Sequence, residues 1–359
     1  MNNMKINAII DTQFGSTGKG LLAGFLALNR MPDTVVTAWG PNAGHTFIDA
    51  EGRKYVHTML ANGVVSPALE RIMMGPGSVI NLDNLYHEIM SCEDHIYSKS
   101  RYSVKVFIHE NATVVTEEHR RYEKLNINGI GSTGKGNGAA IIAKINRSID
   151  KKVILRDFSR NHPVFQLVHV LSPSEYQKEL GKAGYIQIEG AQGASLSIHS
   201  QFYPYCTSRD VSVSQMLADC AMPITPYTEF LVTGTARTYP IRVANRYDER
   251  GNMTQSSGPC YGDQEETTFE AIGQEVELTT VTQLPRRIFT YSKQQVNEAI
   301  MYNGITEMFL NFCNYASRDT IAGIIAGIEG ETFARVKWLG YGPSVIEITG
   351  TVREAGEDD

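Results

Sequence analysis

Short runs rich in apolar and β-branched residues recur along the chain: "INAIID" (6–11), "TVVTAW" (34–39), "SVKVFIH" (103–109), "YIQIEG" (185–190), "EFLVTGT" (229–235) and "EMFLNFCN" (307–314). Runs of this length between turn residues predict strands, and the most apolar of them predict strands covered on both faces. Longer stretches with apolar residues three and four apart lie between them: "LLAGFLALN" (21–29), "DNLYHEIMSCEDH" (83–95) and "KQQVNEAIMYNG" (293–304). These predict helices. The alternation predicts an α/β fold with a largely parallel central sheet flanked by helices. No Pro/Gly/Ser-rich linker interrupts it, so residues 1–350 read as one elaborated domain. Residues 351–359, "TVREAGEDD", form an acidic tail expected to fray.

The hexapeptide "GSTGKG" occurs twice, at 15–20 and at 131–136. The first copy joins a predicted strand to a predicted helix. There, backbone N–H groups and a helix N-terminus can cradle phosphate. Lys19 can reach phosphate oxygens, and Ser16 or Thr17 can stand near a metal ion. The spacing is not that of a standard P-loop, and a glycine-rich packing turn is the alternative. The second copy follows "KLNINGI", a poor strand. Thr133 and Lys135 suit a phosphate; a mobile surface loop suits the same glycines.

Three further segments carry candidate chemistry. "GPNAGHTF" sets His45 beside Asn42 and Thr46, where it can donate to a phosphate or merely bond its own loop. "IEGAQGASLSI" puts Glu189 and Gln192 at a strand end, the place where open α/β sheets bind ligands. "QLPRRIF" offers Arg286 and Arg287 to a carboxylate or phosphate, or to solvent. The other histidines, such as His57, His87, His95 and His199, show no metal-ligand spacing.

Composition narrows the partners. The net charge of −6 argues against a nucleic-acid polymer or an anionic membrane as a general partner. Five scattered cysteines read as free thiols of a reducing compartment. No apolar run has the length of a signal peptide or a membrane span, so a cytoplasmic protein is expected.

Taken in order, "DTQFGSTGKG", "GPNAGHT", "GIGSTGKGNG", "EGAQGASL…YPYCTS", "TTVTQLPRR" and a late "YGP" resemble the motifs of the adenylosuccinate synthetase family over nearly the whole chain. The resemblance implies a fold like that of the P-loop NTPases and a homodimer. It also implies a ligase that phosphorylates O6 of a 6-oxopurine nucleotide with a nucleoside triphosphate and Mg2+. The amino group of aspartate then displaces phosphate from C6. Carried over by motif, Ser16, Lys19, His45 and Gln192 become the catalytic set, and Ser16 and the Gly44 carbonyl the Mg2+ contacts. The triphosphate falls to Ser16, Thr17, Gly18, Lys19, Gly20, Gly44, His45, Thr46, Asn311, Asn314, Gly340, Gly342 and Pro343. The mononucleotide falls to Ser16, Asn42, Ser132, Thr133, Arg147, Gln192 and Thr207, with Arg147 reaching into the partner's site. Aspartate falls to Thr280, Val281, Thr282 and Arg286.

Three departures from the family share one meaning. Ser16 replaces an aspartate that takes the purine N1 proton, which leaves room for the 2-amino group of guanine. Leu284 replaces an arginine that contacts the ribose hydroxyl, which suits a 2′-deoxyribose. Asn314 replaces an aspartate that reads guanine; an amide can donate to adenine N1 and accept from its 6-amino group. Together they imply dGMP in place of IMP, and ATP or dATP in place of GTP, as in the branch used by viruses with 2,6-diaminopurine in their DNA. The product would be 2-amino-2′-deoxy-N6-succinyl-AMP, made in the host cytoplasm. An ordinary IMP- and GTP-using synthetase, and a non-catalytic nucleotide-binding protein, are the alternatives.

Overall fold

A computed structural model describes residues 4–96, 104–126, 134–279 and 283–351. Ten strands build its main sheet: β1 (Met4–Asp11), β2 (Thr34–Thr37), β3 (Arg71–Met74), β4 (Lys105–His109), β5 (His169–Leu171), β6 (Tyr185–Gly193), β7 (Thr228–Arg237), β8 (Glu307–Asn311), β9 (Arg335–Gly340) and β10 (Ile348–Gly350). Their order across the sheet is β10-β9-β8-β7-β1-β6-β2-β3-β4-β5. All neighbours run parallel except β10, which closes one edge antiparallel to β9.

Strand β1 is central because both of its faces are covered. Ile6 and Ile10 pack into one apolar layer with Ile188, Val232 and Met308. Ile9 packs into the other with Leu22, Leu26 and Phe47. Burial on both faces explains why this strand reads as an almost unbroken apolar run. From β1 the chain crosses to β2 on one side, whereas from β6 it crosses to β7 on the other. The strand order therefore reverses at β1, and the crevice beyond its carboxyl end is the place where such sheets bind ligands.

Helix α1 (Lys19–Arg30) follows β1, as the sequence predicts. Helix α2 (Leu82–Ser91) and the turn Glu93–Ile96 account for "DNLYHEIMSCEDH". Helix α3 (Glu117–Asn126) and helix α4 (Asn137–Asn146) flank the second hexapeptide. The "KLN" of "KLNINGI" is thus helical, not strand-like. The strand predicted over 307–314 stops at Asn311: Phe312 has φ 57°, and Cys313–Tyr315 form a 3-10 turn. Strands β3, β5, β9 and β10 and the helix Arg318–Glu331 were not legible as periodic runs. Segments such as "RIMM" and "HVL" are too short to show a period, and sheet pairing makes them strands. No helix among the described residues is long and apolar enough to cross a membrane. All five cysteines are free.

Candidate active site

At the end of β1 the buried carboxylate of Asp11 organises the first glycine loop. Its Oδ1 accepts from the amides of Gln13 at 2.8 Å and Gly15 at 3.3 Å. Its Oδ2 accepts from the Thr17 hydroxyl at 2.5 Å and from Lys19 Nζ at 3.0 Å. Thr17 Oγ1 also lies 2.5 Å from Thr235 Oγ1 on β7 and has no exposed surface. The Thr17 side chain is therefore bound inward, which removes it from the pair of hydroxyls offered to a metal ion. Ser16, with φ 56°, is turned outward and exposed.

Behind Ser16, helix α1 starts without a side-chain cap. Gly18 takes φ 91°, and a Cβ there would fall 2.2 Å from Asn311 Nδ2, so only glycine fits. Among the described residues no acceptor takes the first-turn amides from Gly18 to Leu21. Lys19 has one ammonium proton on Asp11 and two more to give. Free N–H groups, the positive end of a helix dipole and a lysine in its first turn make an anion cradle.

The twin loop is wired differently. Glu123 of α3 is buried and accepts from the amides of Gly136 at 2.7 Å, Gly138 at 2.6 Å and Ala139 at 3.3 Å at the start of α4. This helix N-terminus is already closed by a carboxylate of the chain itself. Identical hexapeptides thus present one open and one occupied cradle. Ser132 and Thr133 lie outside the described residues, and Lys135 is exposed.

His45 opens the hairpin formed by His45–Ile48 and Lys54–His57. Its ring is buried, stacks on Trp39 at 4.2 Å and 21°, and places Nδ1 2.8 Å from Glu189 Oε1. Glu189, midway along β6, has no exposed side-chain surface; its other oxygen accepts from the Asn62 amide at 2.7 Å. A carboxylate on Nδ1 fixes the ring and leaves Nε2 as its working nitrogen. The partner of His45 is therefore 144 residues away and not in its own loop.

Opposite His45 in the hairpin sits His57, buried with Nε2 3.2 Å from Cys92 Sγ. Burial holds His57 below its ordinary value of 6.5, against the pull of Glu88 and Glu189. A depressed histidine contributes stability above the unfolded value and loses it as pH falls through the folded one. Lowering the pH from 7.5 to 5.5 should therefore lower the thermal midpoint, and His57→Gln should shrink that drop, as read by calorimetry.

On the far side of the first loop, Arg237 at the end of β7 is fully buried. Its Nη1 donates to the Ser16 carbonyl at 3.4 Å and to Glu277 at 3.2 Å, and its guanidinium stacks 3.7 Å from the Phe312 ring. The Tyr315 hydroxyl donates to the same Glu277 carboxylate at 3.1 Å. Burial would raise the Glu277 pKa, but the Arg237 charge and hydrogen bonds and the Tyr315 hydroxyl hold it below the ordinary carboxylate value. One ion pair thus ties together Ser16, the turn bearing Asn314 and the segment leading to Arg286. Glu277→Gln should lower unfolding stability by about 1–3 kcal/mol, because it leaves a buried guanidinium short of its counter-charge; denaturant titration reads this.

The adenylosuccinate synthetase family model matches residues 8–166 and 148–325. The chain belongs to the adenylosuccinate synthetase family. It is 45% identical over 378 aligned positions to the N6-succino-2-amino-2′-deoxyadenylate synthase of Acinetobacter phage SH-Ab 15497, covering 99% of this chain and 96% of the relative. It is also 45% identical to the enzyme of the same name from Cyanophage S-2L, covering 97% and 93%. The solved cyanophage succinoaminodeoxyadenylate synthetase, bound to dGMP and to dATP as an energy donor, superposes with a TM-score of 0.87 at 44% identity over 97% of this chain and 95% of that one. The fully ligated adenylosuccinate synthetase of Plasmodium falciparum, 17% identical, shares the fold with a TM-score of 0.76 over 98% of this chain and 100% of that one.

Within this adenylosuccinate synthetase fold the remaining candidate residues divide by exposure. Asn42, Gln192 and Thr207 are half-buried; Gln192 ends β6 with φ 67°, and the Thr207 amide donates to the Leu196 carbonyl at 2.8 Å. Gly44, Thr46, Asn314 and Pro343 are exposed. Asn311 is a brace: its Nδ2 donates to the Thr17 carbonyl at 3.2 Å, and its Oδ1 accepts from the Phe312 amide at 2.8 Å. Each end of that amide makes one bond within the protein, and the side chain is buried. Gly340 is buried against Asn311, and Gly342 lies beside the Glu347 carboxylate. Arg147 caps α4 with φ 51° on an exposed surface. Arg287 is bound to Glu266 at 2.7 and 2.6 Å, whereas Arg286 donates to the Leu278 carbonyl at 3.3 Å and lies within the field of the Glu277 carboxylate. Thr280, Val281 and Thr282 lie outside the described residues. Asp11, Trp39, Arg237 and Glu277 escaped the sequence reading. Asp11 alone carried a signal there, as a carboxylate directly between a buried strand and a glycine loop.

Proposed function

We propose that the protein joins L-aspartate to C6 of dGMP at the expense of ATP or dATP. Purine O6 attacks the γ-phosphorus as N1–H gives up its proton to solvent, the nucleoside diphosphate leaves, and a 6-phosphoryl purine forms. The aspartate nitrogen then attacks C6, loses a proton and expels phosphate, which gives 2-amino-2′-deoxy-N6-succinyl-AMP. The observation that carries the choice of substrate is the outward, neutral Ser16 beside an open helix N-terminus. A hydroxyl there leaves space for a 2-amino group next to the purine N1 and accepts a hydrogen bond from it. The phage relatives support the same substrate, and the cyanophage structure supports a deoxynucleotide donor.

The open α1 N-terminus and Lys19 hold the triphosphate. His45, held through Nδ1 by Glu189, presents Nε2 to the phosphoryl group in flight. Phosphoryl transfer needs placement and charge stabilisation above all, and these groups supply both. Mg2+ bound through nucleotide phosphates needs only one or two protein oxygens. The exposed Ser16 hydroxyl and Gly44 carbonyl fit that demand. The ion, when bound, neutralises charge on the phosphates. Gln192 orients O6, Asn314 reads adenine, and Arg286 binds aspartate. The surface around Arg147 also exposes Ile142, Ile145 and Ile149, and this apolar patch suits a second copy of the chain in a homodimer; sedimentation at micromolar concentration would read a dimer mass.

Incubation with Mg2+ and aspartate tests the reading, with dGMP and ATP or dATP in one set and IMP and GTP in another. Succinylated product should form from dGMP. Turnover with IMP and GTP alone would overturn the substrate. Bound nucleotide without any product would favour a binding protein.

A further inference from the structure

Ser16 is exposed, yet its backbone is held left-handed at φ 56°. A residue other than glycine keeps that conformation when its surroundings over-determine it. The Asp11 carboxylate accepts from the Gly15 amide on one side of Ser16 and from the Thr17 hydroxyl on the other. Two neighbouring strand ends take the next two carbonyls. Arg237, the last residue of β7, donates from Nη1 to the Ser16 carbonyl at 3.4 Å. Asn311, the last residue of β8, donates from Nδ2 to the Thr17 carbonyl at 3.2 Å. Arg237 and Asn311 are register partners across β7 and β8, so strand pairing delivers two donors to two consecutive peptide groups.

Arg237 is itself fixed at both its ends. Its amide donates to Gln13 Oε1 at 3.0 Å, and its carbonyl accepts from Gln13 Nε2 at 3.1 Å. Its guanidinium is fully buried, lies 3.7 Å from the Phe312 ring and is paired with Glu277 through both Nη atoms. Glu277 also accepts from the Tyr315 hydroxyl at 3.1 Å. Loop residue 13 thus fixes the strand end, and the strand end fixes loop residue 16. A guanidinium can hold a carboxylate and a carbonyl at once with a planar fork, which an ammonium group cannot do in the same geometry.

Guanine and hypoxanthine differ by one amino group at C2. A hydroxyl tells them apart only if it is held within hydrogen-bond distance and angle of that group. Resting on the dGMP reading above, we propose that Arg237 is a positioning residue for substrate selection: by fixing the Ser16 peptide it holds the Ser16 hydroxyl where it accepts from the purine 2-amino group. Arg237 acts through Ser16 and makes no contact with the purine. Selectivity is then set by a residue 221 positions along the chain from the one that reads the base.

Titration calorimetry with dGMP and dIMP, which differ only in the 2-amino group, tests this with Mg2+ and a non-hydrolysable triphosphate analogue present. Wild type should bind dGMP about three- to tenfold more tightly than dIMP, and Ser16→Ala should bring that ratio close to one. Arg237→Lys should lower the ratio to below about half its wild-type value while keeping a charge for Glu277. The paired variant Arg237→Met with Glu277→Gln, which leaves no unmatched buried charge, should bring it close to one. On the Ser16→Ala background neither change should move the ratio further. A merely structural arginine would weaken both ligands by the same factor; an unchanged ratio in the two Arg237 variants, or a further fall on the Ser16→Ala background, would overturn the assignment. Equal affinities for dGMP and dIMP in wild type would instead overturn the dGMP reading, and this assignment with it.

Discussion

His45→Ala lowers kcat by about 10²- to 10³-fold while the KM values for dGMP and aspartate stay near wild type. The ring is not packed in as filler. It is clamped on one face by Trp39 and at Nδ1 by a carboxylate with no access to water. That carboxylate is itself held by the Asn62 amide, so ring and tautomer are set before substrate arrives. Preorganised donors of this kind act on charge that develops only in the transition state, so their loss falls on kcat. Glu189→Gln is the control. It keeps the size of the side chain but offers Nδ1 a neutral group that can also donate. Turnover should fall by a smaller factor, because the ring stays in place and its tautomer is no longer enforced. Rapid-quench measurement of the phosphoryl step separates this from slow product release.

Ser16→Asp reduces kcat/KM for dGMP by about a hundredfold and leaves the fold intact. Position 16 is exposed and left-handed at φ 56°, a conformation that aspartate tolerates better than most residues. The added carboxylate occupies the space assigned to the 2-amino group and brings a negative charge to the mouth of a phosphate cradle. A steric and electrostatic penalty of this kind discriminates more strongly than a lost contact does. Ser16→Ala, which removes only the hydroxyl, should cost about tenfold or less. Parallel assays with IMP should show Ser16→Asp losing far less on that substrate, since hypoxanthine has no group at C2.

The sheet was legible where strands are buried on both faces. β1, β6 and β7 read as largely apolar runs because consecutive residues along much of each strand are buried, so both faces are covered there. Edge and short strands such as β5 and β10 were not, because pairing and not composition makes them strands. In the site, Ser16, Lys19, His45 and Gln192 were marked by motif: Ser16 and Lys19 lie in the loop and helix start that follow β1, Gln192 near the carboxyl end of β6, and His45 at the start of a hairpin strand. Their supports were not. Glu189 joins His45 across 144 residues, Arg237 joins Glu277 across 40, and Glu123 reaches the second loop from a separate helix. Such pairings follow from strand order, which no local pattern encodes. The twin "GSTGKG" makes the same point, since identical letters carry opposite electrostatic states once Glu123 is in place.

In the proposed reaction the aspartate nitrogen replaces O6 of dGMP after that oxygen has been phosphorylated. dGMP labelled with 18O at C6 tests it most directly. With aspartate, Mg2+ and ATP or dATP, one 18O should appear in each released phosphate and none in the succinylated nucleotide. Phosphate without label, or labelled dGMP recovered unchanged while triphosphate is hydrolysed, would contradict it.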